Sequence, residues 1–257
     1  MNPSAAPDSK KKLFGLIGKD IAYSFSRSYF TEKFRDLGLN DYRYINFDLQ
    51  NLDQFKTIVA PQLDHIGGLN VTIPYKEEII PYLDEVDPEA LQIGAVNTIK
   101  ILPTGKLKGF NTDAFGFEAS LSKMLRPKHE AALILGTGGA SKAVAFVLEK
   151  LGLSFRFVSR QKSGEEFLTY ADLDELTLRS HLLVINCTPL GTFPEIDKKP
   201  DLPYEYLGSD HLLFDLIYNP AKTAFLREGE KRGAKILNGS QMLEKQADRA
   251  WAIWNSP

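Results

Sequence analysis

Cysteine is nearly absent: Cys187 is the sole one among 257 residues, which excludes an intramolecular disulfide. Its setting, Leu182–Val184–Ile185–Asn186–Cys187, is apolar and fits an inert buried thiol better than a nucleophile. Histidine is also sparse. His65, His129, His181 and His211 are scattered, and no His/Cys/acid cluster has zinc-ligand spacing, so no metal is expected. No run reaches 18 apolar residues, and the apolar piece Leu13–Gly18 is too short for a signal core, so neither a spanning helix nor a leader is expected. Excess charge is missing as well: 31 Lys and Arg against 33 Asp and Glu leave a formal −2. Such a chain has no global attraction to nucleic acid or anionic membrane, although local basic pockets remain available. A cytoplasmic protein is the expectation.

What is present is ordinary globular material. Hydrophobic residues make up 43% and aromatics 11%, enough for a packed core, and the length allows one large domain or two modest ones. Strand and helix patterns alternate. Strands are predicted at 12–18, 42–47 and 65–73, a helix capped by Ser26 or Ser28 carries Tyr29, Phe30, Phe34 and Leu37 to Gly38, and helices are predicted at 52–59 and 76–83. Ala95–Leu102 and Lys106–Phe110 read as a hairpin, and a helix follows from Thr112 to Leu125, where Pro127 prevents continuation. Near residue 130 the pattern restarts: strand 131–135, helix 141–151, strand 154–158, further strands at 182–186 and 212–216, and helices at 223–232 and 241–254. A Pro-rich loop, 189–203, separates two of these strands. Alternation of this kind predicts an α/β fold with mostly parallel sheets.

The turn after strand 131–135 carries chemistry. Gly136–Thr137–Gly138–Gly139–Ala140–Ser141 links a strand to a helix, as in a dinucleotide-binding fingerprint. Gly136 suits the tight turn and Gly138 the close approach of a pyrophosphate to backbone N–H groups at the helix N-terminus, while Ser141 stands where the motif has its third Gly. After the next strand, Val158–Ser159–Arg160–Gln161–Lys162 offers two cations and no carboxylate. An NAD site would use an acidic residue on the ribose 2′-hydroxyl, so the pair Arg160 and Lys162 favours a 2′-phosphate and therefore NADP.

The N-terminal half holds a second constellation. Asn70–Val71–Thr72–Ile73–Pro74–Tyr75–Lys76 puts a hydroxyl and an amine at the end of a strand, where α/β sheets bind ligands. Gly109–Phe110–Asn111–Thr112–Asp113 sets a carboxylate at a helix start, Ala95–Val96–Asn97–Thr98 adds an amide, and Ser24 and Ser26 alternate after the first strand. Singly, these residues read as caps and turn formers.

Together the segments resemble the shikimate dehydrogenase family nearly end to end. The matching words are Gly18 through Ser26, Asn70 through Lys76, Gly94-Ala95-Val96-Asn97-Thr98, Gly109 through Asp113, Gly136 through Ser141, Asn186-Cys187-Thr188-Pro189-Leu190-Gly191, Asp215-Leu216-Ile217-Tyr218-Asn219-Pro220, and Asn238-Gly239 with Met242 through Ala247. The resemblance implies NADPH-dependent, reversible reduction of 3-dehydroshikimate to shikimate in aromatic amino-acid biosynthesis. It implies Lys76 and Asp113 as the catalytic pair, and Ser24, Ser26, Thr72, Asn97, Tyr218 and Gln246 as substrate contacts. Cofactor contacts would come from Gly136, Thr137, Gly138, Gly139, Ala140, Ser141, Ser159, Arg160, Lys162, Thr188, Leu190, Ile217, Gly239 and Met242. Residues 1–111 with 239–257 would form a substrate-binding α/β lobe, and 112–238 a Rossmann-like NADP lobe. The partner is expected to be a small molecule, with no nucleic acid or membrane, and the chain a monomer or homodimer.

The chain departs from the family pattern at Tyr23 and Arg27, where His and Pro are usual, at Ser159, where Asn is usual, and at Thr192, where Met is usual. These changes bear on substrate and cofactor preference, and leave two alternatives: a quinate/shikimate paralogue, or a non-catalytic ligand sensor on the same fold. Retention of Lys76 and Asp113 argues against the sensor.

Overall fold

A computed structural model describes residues 12–22, 24–161 and 164–256. The expectations for the N-terminal tail, Tyr23 and Lys162 lie outside the described residues. The chain divides into two compact units: one runs to Thr112 and resumes at Ala247, and the other is Asp113–Gln246.

The first unit is built on β1 (Leu13–Gly18), α1 (Phe25–Asp36), β2 (Arg43–Asp48), β3 (Ile66–Val71), β4 (Glu85–Val86), α2 (Pro88–Ile93), β5 (Thr98–Ile101) and β6 (Leu107–Phe110). Its sheet runs β2-β1-β3-β5-β6-β4. The β1, β2 and β3 strands are parallel, and β5 is antiparallel to both β3 and β6. Ser24, not Ser26 or Ser28, caps α1, its hydroxyl accepting the Arg27 N–H. That helix buries Phe30 and Phe34 among Phe14, Tyr44 and Trp254, with Phe30 stacked on Tyr44 at 4.8 Å and 9°. Large apolar side chains buried this completely contribute roughly 1.5–3 kcal/mol each, so α1 is held by rings rather than by propensity.

Two helices predicted in this unit take other forms. Residues 52–59 give only a π turn, Phe55–Val59, running into a 3₁₀ segment, Ala60–His65, because Pro61 forbids a regular continuation. Residues 76–83 form turns and a short 3₁₀ piece, Ile80–Tyr82, with Pro81 inside it. Conversely, α2 is absent from the sequence-based expectations, although Asp87 caps it, Pro88 fills its first position and Gly94 closes it at φ 71°.

The second unit contains α3 (Asp113–Leu121), β7 (Ala131–Leu135), α4 (Gly139–Lys150), β8 (Ser154–Ser159), β9 (Phe167–Thr169), α5 (Glu175–Ser180), β10 (Leu183–Asn186), β11 (Leu212–Asp215), α6 (Ala224–Glu230), β12 (Lys235–Leu237) and the start of α7 (Ser240–Trp254). Its sheet is fully parallel in the order β12-β11-β10-β7-β8-β9. The chain winds outward from β7 to one edge, then from β10 to the other. Every residue of β10 and β11 is buried, as parallel strands covered on both faces require. The predicted strand and helix content is thus present, with β9, β12 and α5 as additions. The helix after Asp113 ends at Leu121 rather than Leu125, and α4 opens at Gly139, two residues early. The two units meet along the chain at 112/113 and 246/247; the family resemblance implied boundaries at 111/112 and 238/239. The first half of α7 goes with the second unit, where Gly116 of α3 lies against the Met242 carbonyl and Gln246.

Candidate active site

In the first unit, the register aligns Ile17 with Val71, Asn70 with Thr98, and Thr98 with Phe110. The segments that follow β1, β3 and β6 and the one that precedes β5 therefore emerge at a single edge of the sheet. That edge holds five of the predicted site residues. Ser24 and Ser26 open α1 and are half-buried. Thr72 follows β3, with its N–H on the Ile17 carbonyl at 2.8 Å and its carbonyl accepting from Tyr75 at 3.0 Å. Lys76 is half-buried, and its carbonyl accepts the Val96 N–H at 2.7 Å, which ties the Lys76 turn to the segment before β5 that carries Asn97.

Asn97 is 2% exposed, and its amide orientation is dictated by its neighbours. The Oδ1 atom accepts the Thr112 N–H at 2.7 Å, the Thr112 hydroxyl at 3.1 Å and the Thr98 hydroxyl at 3.2 Å. Three donors on one oxygen fix which side of the amide is carbonyl, so the NH2 group is the side presented elsewhere.

In the second unit, the strand order reverses between β7 and β10, and the crevice at the carboxyl ends of these strands is where doubly wound sheets bind ligands. The Gly136 turn leaves β7 there and the 187–190 loop leaves β10. Gly136 has φ 100°, and a Cβ on it would lie 3.1 Å from Thr188 Cγ2, so both conformation and space call for glycine. Gly138 caps α4 without any side-chain hydrogen bond, is exposed, and has open space where a Cβ would stand. A pyrophosphate fits this cradle: a bare backbone approach, a helix N-terminus and no side chain in the way. Gly139 and Ala140 continue the first turn, and Thr137 is exposed beside them.

Ser141 is 1% exposed, its hydroxyl donating to the Gly138 carbonyl at 2.6 Å, so it fills the close helix–strand packing position as a small residue. Next door, the Gly136 N–H donates to the Val158 carbonyl at 2.9 Å, which brings Ser159 and exposed Arg160 beside the same turn. The Ser159 hydroxyl bonds the Gln161 carbonyl. An exposed guanidinium next to the glycine turn suits a 2′-phosphate, as NADP requires.

The remaining positions gather around β11. Ile217 accepts the Gly239 N–H on its carbonyl at 3.0 Å, and Tyr218 follows it, half-buried. Met242 is buried on α7, and Gln246 is half-buried one turn later. Asp113, 3% exposed, is the first residue of α3, where a carboxylate is favoured by the helix dipole. Lys76 and Asp113 belong to different units. Among the described residues, no three His, Cys, Asp or Glu side chains gather as a metal site, and no helix is long and apolar enough to cross a membrane.

Comparison with known proteins meets this geometry. A family model described as the shikimate dehydrogenase substrate binding domain matches residues 16–99. A curated shikimate dehydrogenase (NADP(+)) from Methanocaldococcus jannaschii is 40% identical over 264 residues, covering 96% of this chain and 92% of the relative. This chain belongs to the shikimate dehydrogenase family. A crystal structure of shikimate dehydrogenase in complex with NADP+ matches with a TM-score of 0.82 at 38% identity, covering 97% of this chain and 91% of that one. The shikimate 5-dehydrogenase from Thermus thermophilus in complex with NADP(H) and shikimate matches with a TM-score of 0.83 at 34% identity, over 94% of this chain and 92% of that one.

Two buried polar networks carry no role in the sequence reading of this shikimate dehydrogenase family member. In the second unit, Asp215 at the end of β11 is fully buried, with only neutral partners: the Thr223 hydroxyl at 2.6 Å, the Ile217 N–H at 3.0 Å and the Asn186 amide at 3.0 Å. Burial pushes the carboxyl up to about 6, against the lowering effect of those three donors. Asn186 in turn accepts the Thr188 N–H and hydroxyl, at 3.0 and 2.7 Å. Asp215 thereby joins the two loops that bear Thr188, Leu190 and Ile217. Desolvation and the neighbouring Asp215 raise the Cys187 thiol, which keeps it protonated and unreactive, although the residue is half-buried and not enclosed as the sequence suggested. The second network, around Tyr44 and Asn70, lies in the first unit. Asn70, Asn186 and Asp215 stand in matched sequence words, but nothing in those words singled them out as buried.

Proposed function

We propose that this chain catalyses the reversible, NADPH-dependent reduction of 3-dehydroshikimate to shikimate. One observation carries the reading: Ser24, Ser26, Thr72, Lys76 and Asn97, spread over more than seventy residues of sequence, stand at one edge of the first sheet. A polyhydroxylated ring acid needs such a set, because each hydroxyl that leaves water requires a partner. Tyr218 and Gln246 complete the proposed substrate contacts, and the glycine turn with Ser159, Arg160, Thr188, Leu190, Ile217, Gly239 and Met242 forms the proposed NADP site.

NADPH, when bound, supplies the hydride. The chain's own residues handle the proton and the charge. Reduction of the ketone places negative charge on its oxygen, and the Lys76 ammonium is the group to stabilise that charge and donate a proton to it. Asp113 is the second member of the proposed catalytic pair, the one that the family resemblance implies beside Lys76. We read the protein as cytoplasmic, monomeric or homodimeric, and acting on small molecules.

Steady-state assays with shikimate and with quinate, each with NADP+ and with NAD+, test the reading. Shikimate with NADP+ is expected to be the best pair, and absence of NADP+ reduction by shikimate would overturn it. Faster turnover of quinate would instead favour the paralogue. Lys76→Ala is expected to lower kcat by about 10²–10⁴-fold, the usual contribution of a positioned acid, while NADP+ binding followed by fluorescence stays intact.

A further inference from the structure

The buried carboxylate of the second unit stands behind the loops of the proposed NADP site and takes no part in the chemistry above. Asp215 ends β11, and both of its oxygens are occupied from inside the protein. Oδ1 accepts the Asn186 amide and the Ile217 N–H, each at 3.0 Å, and Oδ2 accepts the Thr223 hydroxyl at 2.6 Å. Asn186, at the end of β10, passes the connection on. Its Oδ1 accepts the Thr188 N–H at 3.0 Å and the Thr188 hydroxyl at 2.7 Å, and Thr188 Oγ1 accepts the Leu190 N–H at 3.3 Å. Ile217 is held from its other side too, its carbonyl accepting the Gly239 N–H at 3.0 Å. Asp215, Asn186 and Thr223 are each 0% exposed, so the bonds at the centre of this network are made out of water.

We propose that Asp215 is a positioning residue for the cofactor: through Asn186 it sets the Thr188 side chain, and directly it sets the Ile217 amide, in the one arrangement that receives NADP. The proposal rests on the NADP site proposed above. Its physical basis is the two-sidedness of an amide. A side-chain amide turned over would set NH2 against the Thr188 N–H, donor against donor. A carboxylate on the far side accepts and does not donate, so it draws the NH2 of Asn186 to itself and leaves the carbonyl facing Thr188. The inward bond of the Thr188 hydroxyl then fixes the rotamer of a β-branched side chain. That rotamer puts Cγ2 against the glycine turn, 3.1 Å from where a Cβ on Gly136 would stand. The wall of the turn that would cradle the pyrophosphate thus follows from the carboxylate two strands away. Without it, the Asn186 amide and the Ile217 N–H are left buried and unpaired, and both loops lose their common anchor.

Calorimetric titration of the full-length protein with NADP+ tests this without recourse to turnover. Asp215→Ala is expected to raise the NADP+ Kd about three- to tenfold, the range of one net hydrogen bond, with KM for shikimate at saturating NADP+ unchanged. Asp215→Asn keeps an acceptor at Oδ1 and should bind NADP+ within about twofold of wild type. Asn186→Leu cuts the chain one step on, keeps the volume within an apolar strand and leaves Asp215 two donors; it should raise the NADP+ Kd similarly, and it decides the matter if Asp215→Ala does not fold. Because Asp215 acts partly through Asn186, the double variant should bind NADP+ more tightly than the product of the single effects implies. Thr223→Val removes the bond to Oδ2 and the cap of α6, so it should lower Tm and leave the NADP+ Kd in place. An unchanged NADP+ Kd in Asp215→Ala or Asn186→Leu, single effects that simply multiply, a rise in Asp215→Asn as large as in Asp215→Ala, or an equal rise in Thr223→Val would overturn the proposal. A wild type that binds no NADP+ would instead overturn the site beneath it.

Discussion

Asp215 sits fully buried at the end of β11 with no cation among its hydrogen-bond partners, and its effect on stability follows from the direction of its shift. Its folded pKa, about 6, lies above the ordinary aspartate value of 3.8, so the folded state holds a proton more tightly than the unfolded chain. The stabilisation is fully present below 3.8 and is lost as pH rises through 6; a shift of this size corresponds to about 3 kcal/mol. Asparagine keeps the Oδ1 contacts and carries no charge. Compared with wild type by urea unfolding between about pH 4 and 7.5, Asp215→Asn should gain in relative stability from pH 4 to 6 and run parallel above 7. A pH-independent difference would remove the ionisation argument. This residue and Tyr44 also mark what the sequence did not disclose. Lys76 and Arg160 declare themselves by charge at strand ends, whereas Tyr44 and Asn70 are 26 residues apart, as Asn186 and Asp215 are 29, and only sheet pairing brings either pair together.

At the scale of elements, legibility depended on whether local pattern and tertiary packing agreed. β7, β10 and β11 are continuous apolar runs and were readable, while β12, three residues long with none buried, was not. α2 has its cap, proline and closing glycine in the sequence, but six residues give too little hydrophobic period. The start of α7 is set by Gly239, which the family resemblance places among the cofactor contacts. A Cβ there would fall on the Leu216 backbone carbonyl, and backbone cannot give way as a side chain can. Gly239→Ala should therefore destabilise by about 1–3 kcal/mol or more, the range of overpacking. Gly208→Ala, with open space around it and no positive φ, is the control, expected to be neutral or stabilising by up to about 1 kcal/mol. Equal thermal shifts for the two would mean that α7 adjusts its start.

At the scale of the whole molecule, a net charge of −2 faces a substrate and a cofactor that are both anions, so positive charge has to be supplied locally. The second unit is the place to isolate that effect. Asp113–Gln246 is one continuous stretch with a complete parallel sheet, a core around Leu133, Val184 and Phe225, and the Phe117–Phe214 stack at 5.2 Å. A segment of about 130 residues with its own core is within the size at which domains fold alone. Expressed separately, residues 113–246 should show a cooperative melt and bind NADP+ more tightly than NAD+ in calorimetric titration, without any response to shikimate. Arg160→Ala in that fragment should weaken NADP+ by about tenfold or more, as loss of a charge-assisted contact worth about 1.5–3 kcal/mol implies, and leave NAD+ nearly unchanged. Equal losses for both nucleotides would assign Arg160 to the adenine or to the fold and not to the 2′-phosphate. A fragment that melts cooperatively but prefers neither nucleotide would place the basis of cofactor choice outside this unit.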